Sequence, residues 1–176
     1  GKDDHGRAFY SMKLIRGETL QRVLKQLAAG DPETTCIFTS QRLLEVFRKV
    51  CDAVAFAHVK GYLHRDLKPE NIMVSGDLPD VSIKVLDFGI AKTLSLSRFT
   101  QTAQSMGTAY YMAPEQMEGS HGVDHRADIY SLGVVFYEML TGERPQADLI
   151  APSRIIDVDV RIDQIVLRAL EKEPEK

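Results

Sequence analysis

The spacing of apolar residues along the chain predicts four helices. Apolar positions recur at intervals of three and four, which places them on one face of a helix. Arg126 to Leu140 is apolar on nearly all sides, so we expect it to form a buried central helix that Gly142 ends. Thr19 and Asp159 can cap two of the others, and Thr39 or Ser40 begins the longest, which Gly61 ends. The predicted helices are 20–29, 40–60, 126–140 and 160–172.

Short apolar runs between polar turns predict a small β region. Residues 8–15 fit a strand that ends at Gly17, and residues 31–39 fit a loop. The other strand candidates are 62–63, 71–74 and 81–86. The pattern as a whole therefore predicts an α+β domain that is mainly helical.

Composition narrows the class of protein. The chain has 176 residues, 44% hydrophobic and 27% charged, so it can bury about 70% of its unfolded surface as one domain. A net charge of −3 lacks the basic excess of a nucleic-acid binder, and no nucleic-acid partner is expected. Cys36 and Cys51 have no metal-binding spacing. No apolar run approaches the roughly 20 residues that cross a bilayer, so we expect no membrane contact in this segment and a cytoplasmic location.

Three motifs occur in order, and with them the chain resembles the eukaryotic-like (Hanks-type) Ser/Thr protein kinases of bacteria. The motifs are His64-Arg65-Asp66-Leu67-Lys68-Pro69-Glu70-Asn71, Asp87-Phe88-Gly89 and Ala113-Pro114-Glu115. The resemblance implies a protein-kinase-like fold: residues 1–18 are the last strand of the N-terminal lobe and the hinge, and residues 19–176 are a C-terminal lobe truncated before its end. No glycine-rich loop and no Val-Ala-Ile-Lys strand precede them. We therefore expect the N-terminal lobe to be absent here and to be required in cis.

The resemblance assigns the chemistry to five residues. Transfer of the ATP γ-phosphoryl group concentrates negative charge, so a site needs metal ligands, a cation and a carboxylate near the attacking hydroxyl. Asp66 would orient that hydroxyl and accept its proton, with the ammonium of Lys68 close to the phosphate. Asn71 and Asp87 would be the Mg²⁺ ligands. Thr108 would bond Asp66 and Lys68, as in kinases specific for Ser and Thr. Each residue alone could be a turn former or a cap, but their joint spacing favours the catalytic interpretation.

The resemblance also places the adenine of ATP. Met12 would lie behind the base, and the backbones of Lys13 and Ile15 would bond its edge. Met73 would form the apolar floor under it. Without the motifs, Met12 and Met73 would pass for ordinary core methionines. Lys13 replaces the acidic residue common at its position, which leaves the backbone contact intact.

Two further features follow from the resemblance. Asp128 would bond the backbone near His64, with capping of its own helix as the alternative, and Phe88 would contact the His64 ring. The segment 93–108 holds seven hydroxyl side chains without periodicity. We expect phosphorylation at Thr100 or Thr102, with Arg65 and Lys92 forming the pocket that binds the phosphate. The alternative is a solvated, unmodified loop.

The sequence thus predicts an ATP- and Mg²⁺-dependent kinase acting on Ser and Thr of protein substrates. One rival is a pseudokinase or scaffolding module that binds protein partners without catalysis, and retention of Asp66, Lys68, Asn71 and Asp87 argues against it. A second rival is a small-molecule kinase of the aminoglycoside type. Ala113-Pro114-Glu115 and the long segment before it favour protein substrates. The chain by itself is expected to be inactive.

Overall fold

The computed structural model describes residues 1, 7, 13–76, 80–88, 108–119 and 122–173. Within these ranges the fold is mainly helical with one small sheet, as the α+β prediction requires. The helices are α1 (Leu20–Ala28), α2 (Pro32–Ile37), α3 (Ser40–Val59), α4 (Pro114–Met117), α5 (Arg126–Thr141) and α6 (Val160–Ala169). The strands are β1 (Glu18–Thr19), β2 (Ile72–Ser75) and β3 (Ser82–Val85), and 3-10 turns cover Pro69–Asn71, Thr108–Tyr111 and Pro152–Arg154.

The predicted helix starts are confirmed by their caps. The Thr19 hydroxyl accepts the Arg22 N–H at 3.3 Å, and the Thr39 hydroxyl accepts the Arg42 N–H at 3.4 Å. Asp159 accepts the Arg161 N–H at 2.9 Å and so begins α6. Each side chain satisfies one of the amides that a first helical turn leaves without a partner.

A predicted loop, a predicted strand and a predicted helix end are wrong, each for a local reason. Residues 31–39 are not all loop, because Asp31 accepts the Thr34 N–H at 2.8 Å and Pro32 is preset for a first helical turn, so that α2 forms. Residues 62–63 form no strand, since the Tyr62 N–H bonds to the Ala57 carbonyl and completes the end of α3. Helix α6 ends at Ala169 instead of 172, and the Leu170 N–H makes the last bond of the helical type, to the Val166 carbonyl.

The predicted strand 8–15 is also wrong in its described part. Residues 8–12 lie outside the described residues, and residues 13–16 have no regular structure. The strand begins only after Gly17, whose φ is +130°. A Cβ at Gly17 would lie 2.4 Å from the Val74 carbonyl oxygen, so only glycine lets the chain approach β2 this closely.

The three strands form an antiparallel sheet in the order β1-β2-β3. Thr19 pairs with Met73, and Ile72 pairs with Val85 at one end of the β2–β3 pair. Ser75 pairs with Ser82 at the other end. Because the pairing is antiparallel, the residue before β2 and the residues after β3 meet at the same end of the sheet.

Helix α5 lies at the centre of the core, as its sequence predicts. Ten of its residues are buried, and it packs between α3 and α6. A Cβ at Gly133 would lie only 2.8 Å from the Ala169 Cβ, so α5 and α6 cross in close contact there. Gly142 ends α5 in a left-handed conformation, with φ +76°. No helix within the described ranges is long and apolar enough to cross a membrane.

Candidate active site

One buried carboxylate holds the start of the segment 64–71, which we call the catalytic loop. Asp128, in the first turn of α5, is fully buried, and its two oxygens accept the His64 N–H at 2.8 Å and the Arg65 N–H at 2.7 Å. His58 Nε2 of α3 lies 2.8 Å from the Oδ2 atom. Asp124, not Asp128, accepts the Arg126 N–H. The structure therefore shows the backbone contact that was expected of Asp128 and excludes the capping alternative.

The His64 ring joins the catalytic loop to the segment that follows β3. The ring is fully buried, and its Nε2 lies 2.8 Å from the Leu86 carbonyl oxygen, while the Asp66 N–H approaches Nδ1 at 3.3 Å. Since a carbonyl oxygen can only accept, we assign the ring proton to Nε2. The Phe88 ring lies 4.8 Å away at an interplanar angle of 52°, so the expected contact is present.

The Asp66 carboxylate lies between a cation and an amide. Lys68 Nζ is 3.3 Å from Asp66 Oδ2, and both side chains are 18% exposed. The Asn71 side-chain amide donates to the Asp66 carbonyl at 2.8 Å and lies 3.4 Å from its Oδ2 atom. The arrangement leaves the carboxylate at the edge of the solvent, with the Lys68 ammonium and the Asn71 amide both facing its Oδ2 atom.

The β2–β3 register brings Asn71 and Asp87 to one end of the sheet. The Leu86 N–H donates to the Asn71 carbonyl at 2.8 Å, which extends the pairing by one step beyond Ile72 and Val85. Both side chains offer oxygen donors of the kind Mg²⁺ prefers. No group of three or more His, Cys, Asp or Glu within the described ranges could hold a metal ion. Because Mg²⁺ is usually bound by one or two such side chains together with phosphate oxygens and waters, this pair of oxygen donors fits the ion.

Two residues of this candidate site have a strained backbone conformation. Among the described residues, the non-glycine residues with positive φ are Arg65, at 60°, and Asp87, at 54°. Such a conformation costs of order 1–3 kcal/mol and persists only where the surroundings enforce it. At Arg65 the surroundings include the Asp128 carboxylate, which accepts the Arg65 N–H. Because neither position is a glycine, nothing in the sequence signalled these positive φ values.

The described structure does not bring the residues predicted to contact adenine into one cluster. Met73 lies on β2 opposite Thr19, while Lys13 is exposed and Ile15 half-buried in the irregular segment before β1. Met12 lies outside the described residues. The roles of these four residues in adenine binding stay predictions.

The predicted regulatory residues are only partly described. Lys92, Thr100 and Thr102 lie outside the described residues. The backbone of Thr108 begins the turn Thr108–Tyr111, but its side chain is also outside the description. The Nε atom of Arg65 is buried and has no hydrogen-bond partner among the described residues. A buried donor of this kind costs free energy until an acceptor reaches it.

Sequence reasoning missed how the turn Thr108–Tyr111 docks on α5. The buried Tyr111 hydroxyl donates to the Glu138 carboxylate, and Arg144 Nε lies 3.6 Å from Glu138. Burial, together with the bond to Glu138, raises the pKa of Tyr111 far above its ordinary value. The Ser131 hydroxyl donates to the Tyr111 carbonyl at 2.7 Å. A signal was present, because Glu138 interrupts the apolar run of α5 and a buried charge needs a partner.

Gln116 was also missed. Its Nε2 atom donates to the Arg65 carbonyl at 3.0 Å, and its Oε1 atom accepts the Ala113 N–H at 3.2 Å. It is the third residue of α4, where a Gln side chain can reach back to the residue before the helix. That capping position was the signal in the sequence. The contact with the catalytic loop has no such signal.

Comparison with known proteins agrees with this geometry. Residues 3–174 match the family model described as the protein kinase domain. The chain therefore belongs to the protein kinase family.

Its relatives include bacterial Ser/Thr kinases. The chain is 44% identical over 180 residues to the serine/threonine-protein kinase PknB of Mycobacterium leprae, covering 93% of this chain and 27% of that protein. It is 37% identical over 179 residues to the probable serine/threonine-protein kinase CA_C1728 of Clostridium acetobutylicum, covering 93% of this chain and 25% of that protein. The chain thus spans about a quarter of the length of these relatives.

The fold is also similar to that of a solved kinase domain. The crystal structure of the Mycobacterium tuberculosis PknI kinase domain matches with a TM-score of 0.66 and 27% sequence identity. The match covers 93% of this chain and 58% of that one. The protein-kinase-like fold predicted from the motifs is therefore confirmed.

Proposed function

We propose that the intact protein transfers the γ-phosphoryl group of ATP to Ser and Thr hydroxyls of protein substrates. The observation that carries the proposal is the Asp66 carboxylate at the solvent edge, 3.3 Å from the Lys68 ammonium, with the Asn71 amide donating to the Asp66 carbonyl. A carboxylate and a cation so placed suit a reaction in which a hydroxyl loses its proton beside a phosphate. The names of the relatives support the same substrate class.

In this proposal each polar residue has a distinct task. Asp66 bonds the substrate hydroxyl and accepts its proton, while Lys68 offsets charge on the transferred group. Asn71 and Asp87 hold Mg²⁺, which supplies positive charge at the phosphates when it is bound. Thr108 bonds Asp66 and Lys68 and so favours Ser and Thr over Tyr.

The nucleotide would be held by a second set of residues. The backbones of Lys13 and Ile15 bond the adenine edge, with Met12 behind the base and Met73 beneath it. In this proposal residues 1–18 are the last strand of the N-terminal lobe and the hinge, and residues 19–176 belong to the C-terminal lobe. The reaction then requires a glycine-rich loop and a phosphate-binding lysine from an N-terminal lobe in cis.

Substitution of Asp66 by Asn in the intact protein tests the catalytic assignment. Asn keeps the shape of the side chain but cannot accept the proton, so we expect transfer to a generic protein substrate to fall by about 10²–10⁴. Binding of a fluorescent ATP analogue should stay within about twofold, since Asp66 acts on the hydroxyl. The control is Asp157→Asn, because Asp157 is exposed.

The outcomes separate the rival functions. Transfer by Asp66→Asn within twofold of the wild type would contradict the role of Asp66. Wild-type transfer no greater than that of Asp66→Asn, with nucleotide binding retained, would instead support a pseudokinase. Labelling of an aminoglycoside but of no protein would support the small-molecule kinase.

Regulation by phosphorylation is a separate part of the proposal. The Nε of Arg65, next to Asp66 in the chain, has no hydrogen-bond partner in the part of the chain that the structure describes, and a phosphate on Thr100 or Thr102 would give it an acceptor, with Lys92 as the second cation. Mass spectrometry of the active, intact protein should find phosphate between residues 93 and 108. Activity of a fully unphosphorylated protein equal to that of the phosphorylated form would contradict this.

A further inference from the structure

Side chains hold several backbone groups of His64–Asp66. Asp128 accepts the N–H groups of His64 and Arg65, and the Asn71 amide donates to the Asp66 carbonyl. Between these anchors lies the peptide group that joins Arg65 to Asp66. Its position decides where the Asp66 side chain begins.

Two described side chains tie that peptide group, with unequal quality. Its N–H, from Asp66, reaches His64 Nδ1 at 3.3 Å, beyond the usual range of an N–H hydrogen bond. Its carbonyl, from Arg65, accepts from Gln116 Nε2 at 3.0 Å, which lies within that range. Arg65 has a left-handed backbone, a conformation that needs outside support. Gln116 therefore provides the stronger of the two ties.

The amide of Gln116 is oriented without ambiguity. A backbone carbonyl can only accept and a backbone N–H can only donate, so the NH₂ group faces Arg65 and the oxygen faces Ala113. One side chain thus connects the first turn of α4 to the catalytic loop, 51 residues earlier in the chain. The two contacts are chemically distinct and can be removed separately.

We propose that Gln116 is a positioning residue that fixes the Arg65–Asp66 peptide group and so makes the orientation of the Asp66 carboxylate depend on the Ala113–Gln116 turn. The inference rests on the proposed kinase activity for its catalytic consequence. It also gives that turn, which follows the Ser/Thr-rich segment 93–108, a direct connection to the catalytic loop.

Two substitutions in the intact protein separate the contacts. Gln116→Glu keeps an oxygen for the Ala113 N–H but removes the donor and sets a carboxylate against the Arg65 carbonyl. Gln116→Met has a similar length and removes both contacts. The matched control is Gln164→Glu, which makes the same change at an exposed position on α6.

We expect both Gln116 variants to lower kcat by about tenfold, because the Asp66 carboxylate would no longer be held in its productive orientation. The KM for ATP should stay within about twofold, and the midpoint of thermal unfolding should move by less than about 4 °C. Amide hydrogen exchange in a peptide covering residues 63–68 should become several-fold faster in both variants. Gln164→Glu should match the wild type in all four measurements.

The results distinguish the inference from the proposed function. A Gln116→Glu protein with wild-type kcat and exchange would overturn the inference, because the contact with Arg65 would then be dispensable. A loss seen only in Gln116→Met would assign the side chain to the α4 turn alone. If the wild type transfers no more phosphate than Asp66→Asn, the proposed function fails. The hydrogen exchange of residues 63–68 then still decides whether Gln116 holds the peptide group.

Discussion

The two segments that the proposed function assigns to ATP, the catalytic loop and residues 13–16, are held in different ways. In the loop, backbone groups of His64, Arg65 and Asp66 bond to side chains from α5, α4 and the loop itself. Residues 13–16 have no regular structure, and Leu14 is 83% exposed. The described structure therefore fixes the catalytic loop much more firmly than residues 13–16.

The comparison shows that buried partners fix the position of a segment in this fold more than regular secondary structure does. The catalytic loop is irregular apart from its 3-10 turn, yet His64 and Leu67 are fully buried and one carboxylate binds two of its amides. Residues 13–16 are equally irregular but have none of these buried anchors within the described residues. Substitutions that remove or bypass the anchors test this contrast.

The largest effect is expected for the 176-residue chain assayed alone. Its catalytic loop is complete, but the chain carries no Gly-x-Gly-x-x-Gly loop to cover ATP and no lysine strand. We expect phosphate incorporation from radiolabelled ATP to be indistinguishable from that of the Asp87→Ala chain. Incorporation well above that of Asp87→Ala would show that a firmly held catalytic loop is sufficient for phosphoryl transfer without a glycine-rich loop or a lysine strand.

The next largest effect is on stability, at the loop's anchor. Asp128→Ala leaves three donors, from His58, His64 and Arg65, without their acceptor, and we expect it to lower the free energy of unfolding by about 4 kcal/mol. Asp128→Asn keeps one acceptor oxygen and should cost about 2 kcal/mol. Urea denaturation measures both, with the exposed Asp157→Ala as the control. A cost below 1 kcal/mol for Asp128→Ala would contradict the anchor.

An intermediate effect is expected where residues 13–16 meet the sheet. Gly17→Ala places a Cβ 2.4 Å from the Val74 carbonyl at a φ of +130°, so we expect a loss of about 2 kcal/mol in the free energy of unfolding. Gly30→Ala is the matched control, because Gly30 also has a positive φ but its Cβ would meet nothing within 4 Å. It should cost about 1 kcal/mol. Equal costs at the two glycines would show that contact with β2 is unimportant.

The smallest effect is expected within residues 13–16. Leu14→Ser should change the free energy of unfolding by less than about 0.5 kcal/mol, because the side chain is already exposed. The same urea denaturation experiment measures it, with Leu20→Ser at a fully buried position as the contrasting variant. A loss above 1 kcal/mol for Leu14→Ser would mean that residues 13–16 are anchored as firmly as the catalytic loop.

The sequence could predict the parts of the fold that depend on local pattern. The stripes of α1 and α3, the apolar α5 and the caps at Thr19, Thr39 and Asp159 follow from residue spacing and side-chain chemistry alone. Helix α2 was missed because its six residues include too few apolar positions to show a helical periodicity. Asp31 and Pro32 were nevertheless a recognisable signal for the start of a helix. The strand predicted to reach residue 15 is wrong in its described part, residues 13–15, because a strand requires neighbours that its own sequence does not specify.

The candidate site divides in the same way. Motif spacing predicted Asp66, Lys68, Asn71 and Asp87 and, through the family resemblance, the contact of Asp128 with the loop. It could not predict Gln116 or the pairing of Tyr111 with Glu138, because those contacts join residues 51 and 27 positions apart in the chain. Such contacts depend on how α4 packs against the catalytic loop and how α5 packs against the turn Thr108–Tyr111. No local pattern in a single sequence indicates how elements so far apart in the chain pack.

The antiparallel register of β2 and β3 has a consequence for how freely the chain can vary in length. Asn71 and Asp87 lie at one end of the strand pair, and the chain connects Ser75 to Ser82 at the other end, which is about 10 Å from Ile72 along the strands. Residues inserted into that connection would lengthen the far end and leave the pairing of Ile72 with Val85 unchanged. The connection is thus a place where a peptide tag or a reporter loop can be added while both proposed metal ligands keep their positions.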